Sequence, residues 1–433
     1  MIETIKNAWK VPELRKKIVF TLVCLIIFRF GSAIPVPFID RTALAEVLKQ
    51  YQGTILGFFD TMSGGAFSQA NIFALSIQPY INASIIMQLL SVAIPALERM
   101  VKDGGEEGRK KLASVTRYVT VAIGLLQGFA YYALLKNGKS LITSSGLGDF
   151  FIGVVIVLTF TAGTAFIMWL GEQITEHGIG NGISFILFAS IVSRGPALLQ
   201  TIIAMMNNGS LNWFLLIVIV AALIAVVGFI VFVTDSERRI PVQYAKKMVG
   251  RKMYGGRSTH LPLKVNMSGV MPIIFASSIA TFPATIAAFF PQPTAGSFWY
   301  TIQQYVFSPN SAVYAVIYLL LIVGFSYFYA AIQFNPVEIS NNIKNNGGFV
   351  PGFRPGRPTS DFISKVMNKI TLFGAVFLGI IAVLPILVGL FLEGGRSLAI
   401  GGTSLLIVVG VAQETVKQLE SQLMMRNYKG FLE

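Results

Sequence analysis

The residues able to make or break bonds are few in this chain, and their placement argues against covalent chemistry. There are two histidines, His177 and His260, and one cysteine, Cys24. Both histidines fall in polar connecting segments, so a histidine-ligated metal inside the apolar part of the chain is not expected. Cys24 stands alone and closes no intramolecular disulfide. Gly138-Lys139-Ser140 resembles the end of a phosphate-binding loop, but Ala133 stands where that motif needs its first glycine, and the segment reads as a turn. A membrane-embedded protease needs a Ser/His pair, an Asp pair or His ligands at depth, and the sequence offers none. The reading is therefore no enzyme, no cofactor and no metal. What is distinctive is polarity without charge. The apolar run Phe73–Leu90 carries Gln78, Asn82, Ser84 and Gln88, and it follows directly on the glycine-rich Thr54–Ala70. That glycine-rich stretch is too interrupted to cross a bilayer as a helix. Irregular backbone at membrane depth is tolerated only where protein buries it or where it lines a water-filled cavity. The expectation is a chain that surrounds a cavity, with Gly53–Pro95 inside it.

The elements that must hold these residues are membrane helices. Of the 433 residues, 54% are hydrophobic and only 12% charged, against about 25% charged in a soluble protein. A run of roughly 20 apolar residues crosses the hydrocarbon core as a helix. Ten such runs occur, at 18–36, 72–95, 113–135, 149–171, 178–200, 212–234, 267–290, 311–333, 367–391 and 399–419. The fifth is interrupted by Arg194-Gly195-Pro196. The first ends in Pro35-Val36-Pro37 without a small-residue exit, so no cleaved leader is expected. Of the 34 Lys and Arg, 27 lie on the side that holds both termini and six on the other. Basic loops stay cytoplasmic, which places both termini inside. Arg29 lies near the outer end of its run and can snorkel to the interface.

Asp, Glu, Lys and His are absent from the middle of all ten runs, where coupled transporters keep their ionisable relays. Any work must be driven from outside the chain. Two cytoplasmic loops, 235–265 and 334–369, are longer than topology requires. The first runs Arg238, Arg239, Lys246, Lys247, Arg251, Lys252, Arg257, Lys264 with Tyr244 and Tyr254 interleaved. Spaced cations of this kind suit a phosphate backbone or an acidic protein surface. These features leave two classes open, a protein-conducting channel and a solute facilitator with polar walls.

Ser63-Gly-Gly-Ala66, Tyr80-Ile-Asn-Ala-Ser-Ile-Ile86, Trp169-Leu-Gly-Glu-Gln-Ile-Thr-Glu-His-Gly-Ile-Gly-Asn-Gly-Ile-Ser184, Ser258-Thr-His-Leu-Pro-Leu-Lys-Val-Asn266, Phe349-Val-Pro-Gly-Phe-Arg-Pro-Gly356 and Gly401-Gly-Thr-Ser-Leu-Leu-Ile407 resemble the SecY family, the channel subunits of bacterial protein translocases. The resemblance covers essentially the whole chain in order. It implies an all-α membrane protein of ten transmembrane helices in two pseudo-symmetric inverted five-helix halves around a central pore. The halves would be 1–200 and 212–433, with 201–211 an external hinge. It implies an apolar pore ring at Ile77, Ile81, Ile183, Leu187, Ile274 and Ile407; Ile77 and Ile81, four apart, would share a helix face. Residues 55–70 would be a plug, with Gly57, Phe58, Phe59, Met62, Gly64, Gly65 and Phe67 its characteristic residues. A lateral gate between spans two and three and spans seven and eight would carry Asn82, Gln88, Gln127, Asn266, Ser277, Ser278 and Thr281. Arg238, Arg239, Lys246, Lys247, Arg251, Arg257, Arg354 and Arg357 would dock a motor ATPase, SecA, or the ribosome. The other implied partners are the subunits SecE and SecG, signal peptides, unfolded preproteins and membrane lipids, in the bacterial inner membrane.

Overall fold

The computed structural model describes residues 2–50, 60, 63–102, 104–138, 140–142, 148–207, 209, 212–244, 247–249, 252–254, 258–287, 297–306, 311–391 and 401–429. The N-terminal part holds α1 (Ile2–Lys10), α2 (Pro12–Gly31), α3 (Arg41–Gln50), α4 (Gln78–Ala93), α5 (Pro95–Lys102), α6 (Gly105–Asn137), α7 (Asp149–His177), α8 (Gly182–Val192) and α9 (Gly195–Asn207). The C-terminal part holds α10 (Trp213–Asp235), β1 (Glu237–Tyr244), β2 (Lys247–Val249), β3 (Lys252–Tyr254), β4 (Ser258–Lys264), α11 (Met271–Ala287), α12 (Phe298–Tyr305), α13 (Ala312–Gln333), α14 (Pro336–Asn345), β5 (Gly348–Phe349), α15 (Arg357–Phe391) and α16 (Gly401–Lys429).

Among the described residues, six helical stretches are long and apolar enough to cross a membrane: Gly105–Lys136, Asp149–His177, Gly182–Asn207, Leu216–Asp235, Ala312–Asn345 and Arg357–Leu384. They carry expected spans three, four, five, six, eight and nine. The other four expected spans fall on α2, α4, α11 and α16, each with a physical reason for its weaker signal. α4 has 16 residues, about 24 Å of helix, and irregular backbone at 72–77 precedes it. α11 has 17 residues with Pro283 inside it. α2 opens with charged residues, and α16 is apolar only in its first half. The expected interruption of span five is real: α8 ends at Val192 and α9 starts at Gly195. Pro196 stands in the first turn of α9, where its missing N–H costs no hydrogen bond. Residues 201–207, taken from sequence as part of a hinge, continue α9 as helix.

The same neighbour order recurs in both halves. α4 packs on α6 and α6 on α7, and correspondingly α11 packs on α13 and α13 on α15. The halves then meet along two seams, α4 against α11 and α8 against α16. These join span two to span seven and span five to span ten, the repeat-equivalent pairs that a two-fold relation between halves requires. The main apolar core lies between the seams and draws on both halves.

The two long basic loops form one unit. β1 pairs antiparallel with β4 along Glu237–Gln243 and with β5 at Gln243 and Tyr244, so the sheet order is β4-β1-β5. β2 and β3 form a separate ribbon. Ile240 and Val242 on one face of β1 pack with Leu263, Ile343, Val350 and Ile363, which fixes the register of the strand.

Candidate functional site

The six isoleucine and leucine positions named above lie far apart in the chain and gather in space. Ile77, Ile81, Leu187, Ile274 and Ile407 are buried members of the main core, and Ile183 packs against it half-buried. Local structure places each of them. Ile77 is the N-cap of α4 rather than part of it, and the Ile81 N–H donates to the Ile77 carbonyl at 3.1 Å, so the two are stacked one turn apart. Ile183 and Leu187 depend on the turn between α7 and α8. There the Asn181 side chain accepts from the Ile183 N–H at 3.0 Å and caps α8. Thr175 Oγ1 accepts from the Gly182 N–H at 2.9 Å, and Thr21 Oγ1 accepts from the Ile179 N–H at 3.1 Å. Gly180 takes φ +76°, the left-handed region that glycine enters without cost. Gly171 marks how these side chains converge: a Cβ there would lie at ordinary contact distance from all three, 3.4 Å from Ile186 Cδ1, 3.6 Å from Ile77 Cδ1 and 3.7 Å from Ile183 Cγ1.

A cavity of about 420 Å³ opens beside this cluster. Its lining includes Ile81, Ile183 and Ile274 together with Tyr80, Gln88, Arg117, Glu172, Glu176 and Tyr329. Arg117 Nε donates to Glu172 Oε1 at 2.9 Å. The lining therefore combines a charged group, Arg117, Glu172 and Glu176, with the apolar Ile81, Ile183 and Ile274.

The seam between α4 and the C-terminal half is held by two side-chain hydrogen bonds. Ser278 Oγ donates to Gln78 Oε1 at 3.3 Å, and Tyr329 Oη donates to Gln88 Oε1 at 3.0 Å. Gln88 Nε2 also donates to Ser84 Oγ at 3.3 Å. Of the polar residues expected on this seam, Gln88 and Ser278 reach across it. Ser277 and Thr281 instead donate to backbone carbonyls of α11, Ser277 to Ile274 and Thr281 to Ser277. Asn82 and Gln127 are buried, and Gln127 Nε2 has no hydrogen-bond partner. Asn266 lies away from the seam, beside Thr371 and Gly374 of α15. Gln78 and Tyr329 were missed as partners, although Gln78 lies one turn before Asn82.

Of the glycine-rich stretch, Asp60 and Ser63 onward are described; Gly57, Phe58, Phe59 and Met62 lie outside the described residues. Ser63–Ile77 is a chain of turns, not helix. Gly64 and Gly65 adopt φ +68° and +88°. Protein buries the irregular backbone: Phe67 packs edge-on against Tyr131 at 4.6 Å, and Tyr131 Oη donates to the Phe67 carbonyl at 2.6 Å. Phe67, Ala70, Ala74 and Leu75 form a second core with Leu44, Leu135, Ile156 and Phe160. Asp60 makes an ion pair with Arg194 at 2.9 Å. Sequence carried a hint of this pair, because Asp60 is the one acidic residue between Glu46 and Glu98, and Arg194 the one Lys or Arg between Lys139 and Arg238.

On the β4-β1-β5 sheet, Arg238 and Arg239 are exposed, the latter paired with Glu237 at 2.7 Å. Lys247 starts β2; Lys246, Arg251 and Arg257 lie outside the described residues. Arg354 and Arg357 are exposed on a built turn. Ser340 Oγ donates to the Gly356 carbonyl at 2.7 Å, Thr359 Oγ1 donates to the Arg354 carbonyl at 2.8 Å, and Phe353 stacks on Phe362 at 4.1 Å. Gly352 and Gly356 supply φ +88° and +100°.

Fold and core together define a multi-pass helical membrane protein whose two halves share one apolar core. A family model described as SecY matches residues 71–416. The protein translocase subunit SecY of Streptomyces coelicolor is 44% identical over 443 residues, covering all of both chains. That of Thermotoga maritima is 44% identical over 440 residues, covering 100% of this chain and 98% of the relative. Among solved structures, one described as a protein conducting channel superposes with a TM-score of 0.65 at 17% identity, covering 96% of each chain. A second, concerning the plug domain of SecY in the closed state of its channel, gives a TM-score of 0.61 at 16% identity over 96% of each chain. Sec61 of a canine ribosome–channel complex also gives 0.61 at 16% identity over 96% of each chain. The chain belongs to the SecY family.

Proposed function

We propose that this chain is the pore subunit of a protein translocase in the bacterial cytoplasmic membrane, with both termini cytoplasmic. It passes unfolded secretory proteins across the membrane and releases hydrophobic segments sideways into lipid. The observation that carries this reading is the apolar cluster beside a cavity lined by both charged and apolar side chains. A collar of Ile77, Ile81, Ile183, Leu187, Ile274 and Ile407 excludes ions by dewetting yet makes no specific contact with a passing side chain. It can admit any unfolded sequence, whereas a solute carrier needs placed polar groups at its waist. The segment 55–70 closes the outer side as a plug. The seam at Gln78–Ser278 and Gln88–Tyr329 is the lateral gate, and 1–200 and 212–433 are the halves that part there.

The chain holds no energy source of its own, so the driving force arrives at the cytoplasmic sheet. Arg354 and Arg357, together with Arg238 and Arg239 of β1, receive the motor ATPase SecA or the ribosome; the structurally similar canine Sec61 stands in a complex with a ribosome. SecE and SecG complete the complex in the membrane. The experiment is reconstitution of the purified chain with these two subunits in proteoliposomes, with SecA, ATP and an unfolded preprotein outside. ATP-dependent protection of the preprotein from protease is expected. Absence of protection in vesicles that do bind SecA would overturn the reading.

A further inference from the structure

We propose that the Asp60–Arg194 ion pair is the latch that seats the closing segment, and that Arg194 is a positioning residue for the closed channel. The proposal rests on the reading of 55–70 as the segment that closes the passage. Asp60 holds its own neighbourhood together. Its Oδ1 accepts from the Ser68 N–H at 2.8 Å, while its carbonyl accepts from the Gly65 N–H at 2.9 Å and from Ser63 Oγ at 3.1 Å. Its other carboxylate oxygen, Oδ2, is left for Arg194 Nη2 at 2.9 Å, with the two side chains 13% and 29% exposed. Burying a carboxylate is costly, and the partner offsets part of that cost. Whatever holds Asp60 therefore holds Ser63, Gly65 and Ser68 with it.

The seat is shaped as well as charged. Gly64 lies so close to the end of α8 that a Cβ on it would stand 2.7 Å from Ser193 Oγ and 2.8 Å from the Ser190 carbonyl. Ser193 Oγ donates to the Ser190 carbonyl at 2.7 Å, and Arg29 Nη1 donates to Ser193 Oγ at 3.3 Å. Arg194 itself occupies the break between α8 and α9, clear of either helix. The helix that ends at this latch also carries Ile183 and Leu187 of the constriction. A polypeptide that widens the constriction by displacing α8 thus draws Arg194 away from Asp60. Occupancy of the waist and release of the outer segment become one movement.

The test is a double-mutant cycle on resting ion conductance of the purified channel complex in planar bilayers. Asp60→Asn keeps the oxygen that accepts the Ser68 N–H and removes only the charge; Arg194→Gln removes the other charge. Each single variant is expected to raise resting conductance at least about tenfold, the cost of stranding one buried charge. The double variant should conduct no more than the worse single, because the shared interaction is already lost. Wild-type conductance in both singles, or additive effects in the double, overturns the latch. A deletion of residues 61–68 separates this from the underlying reading. If the deletion leaks and the singles do not, only the latch fails; if the deletion does not leak, the closing role fails with it. Should either single fail to assemble, the charge swap Asp60→Arg with Arg194→Asp carries the test. Conductance within about twofold of wild type is expected for the swap, and a rise of about tenfold or more overturns the proposal.

Discussion

Gly182 shows how much of the constriction is set by a residue that does not line it. A Cβ on Gly182 would run into the Gly171 carbonyl and stand 2.8 Å from Ile174 Cβ. Backbone contact between α7 and α8 therefore depends on hydrogen at this position, and α8 carries Ile183 and Leu187 one turn apart on the side of the collar. Gly182→Ala is expected to push the helices apart and destabilise the channel by about 1–3 kcal/mol, the usual scale for overpacking. Thermal unfolding in detergent measures the first effect and ion conductance the second, which should rise as the collar loosens. An unchanged midpoint with unchanged conductance would contradict the argument. The proposed collar residues are not legible one by one, because an isoleucine in a membrane span is ordinary packing. Only the register of the surrounding motifs singles out Ile274, since Ile273 beside it is equally buried.

At the scale of elements, the seam between α4 and the helices α11 and α13 rests on two side-chain hydrogen bonds, Gln78–Ser278 and Gln88–Tyr329. Interhelical bonds of this kind contribute about 0.6–1.7 kcal/mol each. Tyr329→Phe removes one donor while keeping the ring, which packs 5.2 Å from Phe275. The closed seam should weaken roughly three- to twentyfold, at tenfold per 1.4 kcal/mol. Segments of marginal hydrophobicity should then partition into lipid more often, read as the inserted fraction of a graded series of leucine-containing test segments. An insertion threshold identical to wild type would sink the assignment. The sequence could place polar residues on these helices but not pair them. Ser277 and Thr281 illustrate why: a hydroxyl on a helix can bond back to its own carbonyls, and spacing alone does not distinguish that from reaching across. The irregular backbone of Ser63–Ala70 was foreseen from its glycines; that of 72–77 was not, because those residues read as the start of the second span. The burial of Phe67 against Tyr131 was not either, since that contact joins residues 64 apart.

Over the whole molecule, hydropathy made the ten spans legible because each is a local property of about 20 residues. Of the two seams, that of span two with span seven was expected only through the family resemblance and that of span five with span ten not at all, for they join elements across the full length of the chain. The cytoplasmic sheet was equally hidden. Loops 235–265 and 334–369 each read as a charged connection, yet β1 of the first pairs with β5 of the second, and Ile343 and Ile363 pack beneath them. Arg238 and Arg239 of the first loop and Arg354 and Arg357 of the second thereby belong to one packed unit. Arg354 stands out in that unit because its turn is held on both sides, by Ser340 to Gly356 and by Thr359 to the Arg354 carbonyl, so its guanidinium is presented at little entropic cost. Two consequences follow for the reconstituted complex. Affinity for a ribosome, which offers phosphates, should fall linearly on a log–log plot against salt, and Arg354→Glu should make that slope shallower. The same substitution should abolish most ATP-driven translocation by SecA while the variant still inserts and binds its membrane subunits, because the exposed side chain takes no part in the apolar packing under the sheet. Normal ATP-driven export by Arg354→Glu, or loss of membrane assembly in that variant, would show that the turn is not a docking element.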